Sequence, residues 1–227
     1  MRQAIVSKAL RVGLASLALA LLAVPHVYAQ NVELLVKHFT VSTGPDGIKR
    51  STEFSERLTR TQDTLWISRV LPLGAHSAHD HAKGGDAHKH VDASTAARWI
   101  TRAANGDIAF KLVPNDAKVI VTVTKTDYGN VGFDGSWVGA WNLIDPTTFK
   151  RMKASPAVGD LITYTLTDKE RDLKIVWNTK LQVPVLVASS DPTSRRQTVV
   201  QVLGTTASRP WEKLQGFTQK DYSDYLD

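Results

Sequence analysis

From residue 32 onward the chain alternates apolar or β-branched residues with polar ones, and turn residues interrupt the alternation repeatedly. A period of two predicts strands that bury one face. Residues 32–42, 48–59 and 64–71 read as successive strands; Gly44-Pro45-Asp46-Gly47 turns the first into the second, and Pro72 ends the third. In that third strand Leu65 and Ile67, with Arg69 next in line, share one face, and Trp66, Ser68 and Val70 share the other. Residues 107–113 and 117–125 predict a hairpin around Pro114-Asn115-Asp116, with Val119, Val121 and Val123 on one side. Four further strands, at 161–167, 173–177, 183–189 and 196–203, close the chain as a meander with turns between them.

Only two stretches break this pattern towards helix. Residues 127–141 hold four glycines and four aromatics and read as a loop entering a short helical piece. Asp145-Pro146 supplies an N-cap followed by proline at the first helical position, which predicts a helix to about Met152. The expected fold is therefore mainly β, a β-rich α+β arrangement: a single curved antiparallel sheet or half-barrel with two or three short helices.

The run from Thr163 to Val187 sets a strand ending in Trp177, a short turn and a strand carrying Pro184 in succession. In strand order and turn placement it resembles the paired strands of periplasmic lipoprotein-carrier proteins of the LolA/LolB type. The strand-turn-strand run from Val32 to Leu71 is compatible with the same half-barrel, so the resemblance covers about half of the chain after its leader. It implies a concave sheet closed by helices around an apolar hollow suited to acyl chains. No family-specific motif accompanies it, so it assigns no ligand-binding residue.

The first residues change the picture of where the domain works. Arg2, Lys8 and Arg11 precede an apolar run at 12–24 that Pro25 ends, and Val27-Tyr28-Ala29 offers a cleavage site. That is the layout of a secretory signal peptide, too short to span a bilayer. Residues 1–29 are the expected leader, and 30–227 are expected to form one β-rich periplasmic domain, soluble and without a membrane span. The chain carries 28 Lys and Arg against 22 Asp and Glu; the leader holds three of the cations and no acid, so the excess of six falls to three. The remaining charges alternate in sign, which argues against a nucleic-acid partner. With no cysteine, disulfides, thiolate nucleophiles and iron–sulfur ligation are excluded.

Composition shifts abruptly at 76–90, where His76, His79, His81, His88 and His90 fall within fifteen residues around Gly84-Gly85. If the two glycines form a hairpin turn, His81 opposes His88 and His79 opposes His90, so four imidazoles share one face about 5 Å apart. Such a set could hold one divalent transition metal, Zn, Cu or Ni, with His76, Asp80, Asp86 and Asp92 as supplementary ligands. A solvated loop, a tract that closes around metal, and a pH sensor built on repelling imidazoles are the other readings of this insertion.

Nothing assembles a catalytic constellation. His79-Asp80-His81 lacks the downstream Asp and His of a metallo-β-lactamase, and neither a His-Glu-x-x-His, a Gly-x-Ser-x-Gly nor a phosphate-cradling glycine loop is present. Trp137 and Trp141, four apart, read as core in preference to a ligand platform, and Arg57, Arg60 and Arg69 as a solvated strand face. The sequence thus points first to a periplasmic binding or accessory protein that captures a metal for buffering, delivery or sensing. Its alternative is a carrier of a lipid or other hydrophobic ligand, with the histidine segment incidental or regulatory.

Overall fold

Twelve strands pair into one sheet. The computed structural model describes residues 31–71, 93–115, 117–205 and 209–225; the expected leader at 1–29 and the histidine-rich stretch at 76–90 lie outside the described residues. The strands are β1 (Val32–Thr43), β2 (Lys49–Arg60), β3 (Thr64–Val70), β4 (Ala97–Arg102), β5 (Ile108–Val113), β6 (Val119–Val123), β7 (Lys153–Ala154), β8 (Leu161–Thr167), β9 (Asp172–Asn178), β10 (Val183–Ser190), β11 (Ser194–Gly204) and β12 (Thr218–Asp221). They form one open, curved sheet in the order β12-β6-β5-β4-β3-β2-β1-β11-β10-β9-β8-β7. Two meanders, β1 to β6 and β8 to β11, spread outward from the central pairing of β1 with β11. All neighbours are antiparallel except β12, which lies parallel to β6.

Strand register decides which side chains face inward. Leu34 opposes Leu58, Leu58 opposes Ile67, Leu65 opposes Ile100 and Ile100 opposes Phe110, so one apolar stripe crosses β1 to β5 on the concave side. Val121 and Val123 of β6 extend it, and both are buried. Residues 125–143 cross this face: a 3₁₀ turn at Lys125–Val131, then the helix α1 (Trp137–Asn142). Tyr128, Phe133, Trp137 and Trp141 from this layer enter the same core as Leu34, Leu58, Phe110 and Val121. Burying such aromatic and aliphatic side chains contributes about 1.5–3 kcal/mol each relative to leaving them in water.

Local chemistry fixes the ends of the covering layer. Gly132 takes a left-handed φ of 71° at the end of the first 3₁₀ turn, and Ser136 accepts a hydrogen bond from the Gly139 N–H to start α1. Asp145 caps a second 3₁₀ turn, Pro146–Arg151, whose Phe149 stacks on Tyr164 and meets Trp177 edge-on. The predicted helix from Asp145 is thus a 3₁₀ segment with the expected cap. On the convex side Trp66, Ala97, Val113 and Ile120 pack with Trp211, Leu214 and Phe217 from the C-terminal segment. The two faces of β3 are those the alternation predicts, with Leu65 and Ile67 inside and Trp66 outside.

Candidate ligand-binding hollow

One face of β2 generates both ends of the candidate site. Phe54, Glu56, Leu58 and Arg60 alternate onto the concave side, and the covering layer treats them differently along the strand. At the Arg60 end it closes on the sheet. Arg60 is 0 % exposed; its Nη1 donates to the Trp141 carbonyl at 2.9 Å and its Nη2 to the Leu181 carbonyl at 2.5 Å. Its guanidinium also lies 3.9 Å from the centre of the Trp141 ring. These contacts tie the last turn of α1 and the β9–β10 turn to β2. Arg60 is therefore an internal clamp, which corrects the expectation that it belongs to a solvated strand face: two carbonyls and an indole replace the water that a surface arginine would keep. Burial pulls this guanidinium down to about 10, so it remains a cation at neutral pH. Arg57, on the opposite face of β2, is the exposed residue expected, paired with Glu33 at 2.6 Å.

Towards Glu56 the layer stands off the sheet and leaves a hollow of ≈ 350 Å³. Its lining is mostly apolar, with Val36, Leu58, Ile67, Ile100, Phe110 and Phe133 forming the greater part. This volume falls within the range of small-ligand sites, which combine an apolar body with a few placed polar groups. Those groups are His38, Glu56, Arg98 and Asp134, which share the lining. Arg98 Nη2 lies 2.5 Å from Glu56 Oε1, and His38 Nε2 lies 3.4 Å from Glu56 Oε2. His38 Nδ1 is 3.2 Å from Thr198 Oγ1, across the β1–β11 pairing. Burial pushes the Glu56 carboxyl up, but hydrogen bonding to His38 and the charge of Arg98 outweigh it and hold the group below its ordinary range.

A second hollow of ≈ 370 Å³ adjoins the first and shares His38, Glu56, Arg98 and Gly132 with it. Phe54, Arg69, Ala93, Ser94, Ala96 and Val131 complete its wall. The Phe54 ring stacks on His38 with centroids 4.5 Å apart, and the Arg69 guanidinium lies 3.6 Å from the Phe54 centroid. Arg69 is thus part of this wall, a second correction to the solvated-face reading. Trp137 and Trp141 are buried in the core, as the sequence favoured, and meet edge-to-face at 6.2 Å.

His76, His79, His81, His88 and His90, with the supplementary Asp80, Asp86 and Asp92, fall outside the described residues. Among the described residues no group of three or more His, Asp or Glu side chains could hold a metal, and no helix is long and apolar enough to cross a membrane. The residues that sequence reasoning missed are His38, Glu56 and Arg98. Strand alternation places His38 and Glu56 on the inner faces of adjacent strands, but Arg98 reaches Glu56 across the intervening β3, a contact that only the assembled sheet creates.

No family model matches the sequence, and no curated protein matches it. Solved structures similar to the chain include PNGF-II, with a TM-score of 0.41 and 9% identity over 86% of this chain and 33% of that one. The chain therefore spans about a third of that structure's length. A DUF1329 family protein from Desulfovibrio piger gives a TM-score of 0.38 and 8% identity, over 84% of this chain and 92% of that one. A LolA superfamily protein from Nitrosomonas europaea gives 0.36 and 7% identity, over 82% of this chain and 90% of that one. The last belongs to the group that the Thr163–Val187 run resembles.

Proposed function

We propose that the protein is an exported, periplasmic carrier or binding protein for a lipid or other hydrophobic ligand, which it takes into the hollow between the sheet and the covering layer. The observation that carries this reading is the hollow itself: an apolar body bounded by Val36, Leu58, Ile67, Ile100, Phe110 and Phe133, with a polar group of His38, Glu56 and Arg98 beside it. An apolar chain entering such a space leaves water for a preformed apolar surface, which drives binding without any catalytic group. A neutral fluorescent probe, N-phenyl-1-naphthylamine, should bind the purified mature chain saturably and be displaced by dodecanol. A titration that stays linear to the solubility limit of the probe would sink the proposal.

A second reading, capture of Zn, Cu or Ni by His79, His81, His88 and His90 with His76, rests on the density of imidazoles at 76–90. Calorimetry on untagged protein should then show saturable binding at pH 7.5 that fails below about pH 6, because each imidazole must be neutral to coordinate. Alanine at both His81 and His88 should weaken it far more than alanine at His38. Absence of saturable heat at pH 7.5 would end this reading and leave the first untouched.

A further inference from the structure

We propose that the second hollow is a headgroup site for an anionic amphiphile, in which Arg69 binds a phosphate or carboxylate while the apolar chain occupies the first hollow. This rests on the hydrophobic-ligand reading and specifies its substrate class. The two hollows are contiguous through His38, Glu56, Arg98 and Gly132, so one molecule could place its two halves in different surroundings.

The sign of the headgroup follows from how the charges are engaged. Among the described residues Glu56 is the one carboxylate in the wall of the second hollow; its Oε1 pairs with Arg98 at 2.5 Å, and its Oε2 lies 3.4 Å from His38 Nε2. It has little to offer a cationic ligand. Arg69 differs: among the described residues no carboxylate lies within ion-pair distance of it, and its contact in the wall is the face of Phe54. Stacking uses the flat face of a guanidinium and leaves the N–H donors along its edge, the geometry that recognises carboxylate or phosphate in a bidentate manner. Phe54 is in turn held by His38 on the strand beside it, so the guanidinium rests on a supported platform. Among the described residues the wall therefore carries two guanidiniums against one carboxylate, and Arg69 is the one without an ion-pair partner.

The test compares dodecyl phosphate, dodecanol, dodecyltrimethylammonium and inorganic phosphate on the mature chain, by displacement of N-phenyl-1-naphthylamine and by calorimetry. Dodecyl phosphate should bind at least about tenfold more tightly than dodecanol, the scale of one charge-assisted hydrogen-bonded contact, and dodecyltrimethylammonium should bind no better than dodecanol. Arg69→Gln should abolish the preference for phosphate and leave dodecanol affinity and the far-UV spectrum unchanged. The inference is overturned if the three amphiphiles bind alike, if the phosphate preference survives Arg69→Gln, or if that variant weakens dodecanol equally. Inorganic phosphate binding as tightly as dodecyl phosphate would also overturn it, because the site would then serve a free anion. Failure of both dodecanol and dodecyl phosphate to bind would instead remove the hydrophobic-ligand reading on which the inference stands.

Discussion

Arg60 and Glu56 sit four residues apart on the same face of β2, yet one plugs the closed end of the covering layer and the other stands at an open hollow. Arg60 is wholly enclosed; its two terminal nitrogens donate to backbone carbonyls and its face meets an indole, while its Nε has no hydrogen-bond partner among the described residues. Glu56 keeps 18 % of its side chain exposed and is balanced by His38 and Arg98. The difference shows that a charged residue on a concave strand face has no fixed meaning. Where a helix end offers its unpaired carbonyls, a cation becomes a structural pin. Where the layer lifts off, ionic groups can order one another and still meet a ligand.

Breaking the packed interior, at the closed end or in its floor, should have the largest effects. Arg60→Met keeps much of the apolar stem but leaves the Trp141 and Leu181 carbonyls without their donor. At about 1–3 kcal/mol for each buried group left unpaired, urea unfolding should show a loss of about 3 kcal/mol. A loss below about 1 kcal/mol would mean that α1 is held by its indoles alone. Phe110→Ala, in the floor shared by the core and the hollow, should cost about 3–5 kcal/mol in the same experiment if the floor does not collapse, and correspondingly less if it does.

The open end should respond to pH more than to truncation. Because the folded-state pKa of Glu56 is lowered, its contribution to stability is present above the ordinary carboxylate range and is lost as pH falls through the folded value. Unfolding midpoints measured from pH 7 down to pH 3 should therefore decline on the acid side, and Glu56→Gln should reduce that slope. An unchanged slope would show that His38 and Arg98 do not act on this carboxyl. The smallest effect belongs to the convex face. Arg57→Ala breaks an exposed pair with Glu33 and should change stability by no more than about 0.5 kcal/mol.

Much of this fold was legible because strand alternation is a local property. The faces of β3, the hairpin of β5 and β6, and the meander from β8 to β11 all follow from residues within a few positions of one another. β4 was not legible. Ala97, Arg98, Trp99 and Ile100 carry no clean alternation, and they become a strand because β3 and β5 pair with them on both sides. β12 is four residues long and wholly polar, and it is fixed by its parallel pairing with β6. The hollow was legible only as something implied by the resemblance of the Thr163–Val187 run. Its residues come from β1, β2, β3, β4, β5 and the covering layer, and no local spacing joins them. Arg60 and Arg69 were misread for a related reason, since a sequence shows that a residue is charged and does not show what will cover it.

The central claim is that the space beneath α1 receives the ligand, and two tryptophan substitutions on that helix test it most directly. Ala140 lines the hollow, whereas Val138, two residues earlier, is 48 % exposed. Titration of N-phenyl-1-naphthylamine should show saturable binding to the wild type and to Val138→Trp, and its loss in Ala140→Trp at an unchanged far-UV spectrum. Equal binding by both variants, with the wild-type stoichiometry, would contradict the account and place any hydrophobic ligand elsewhere on the molecule.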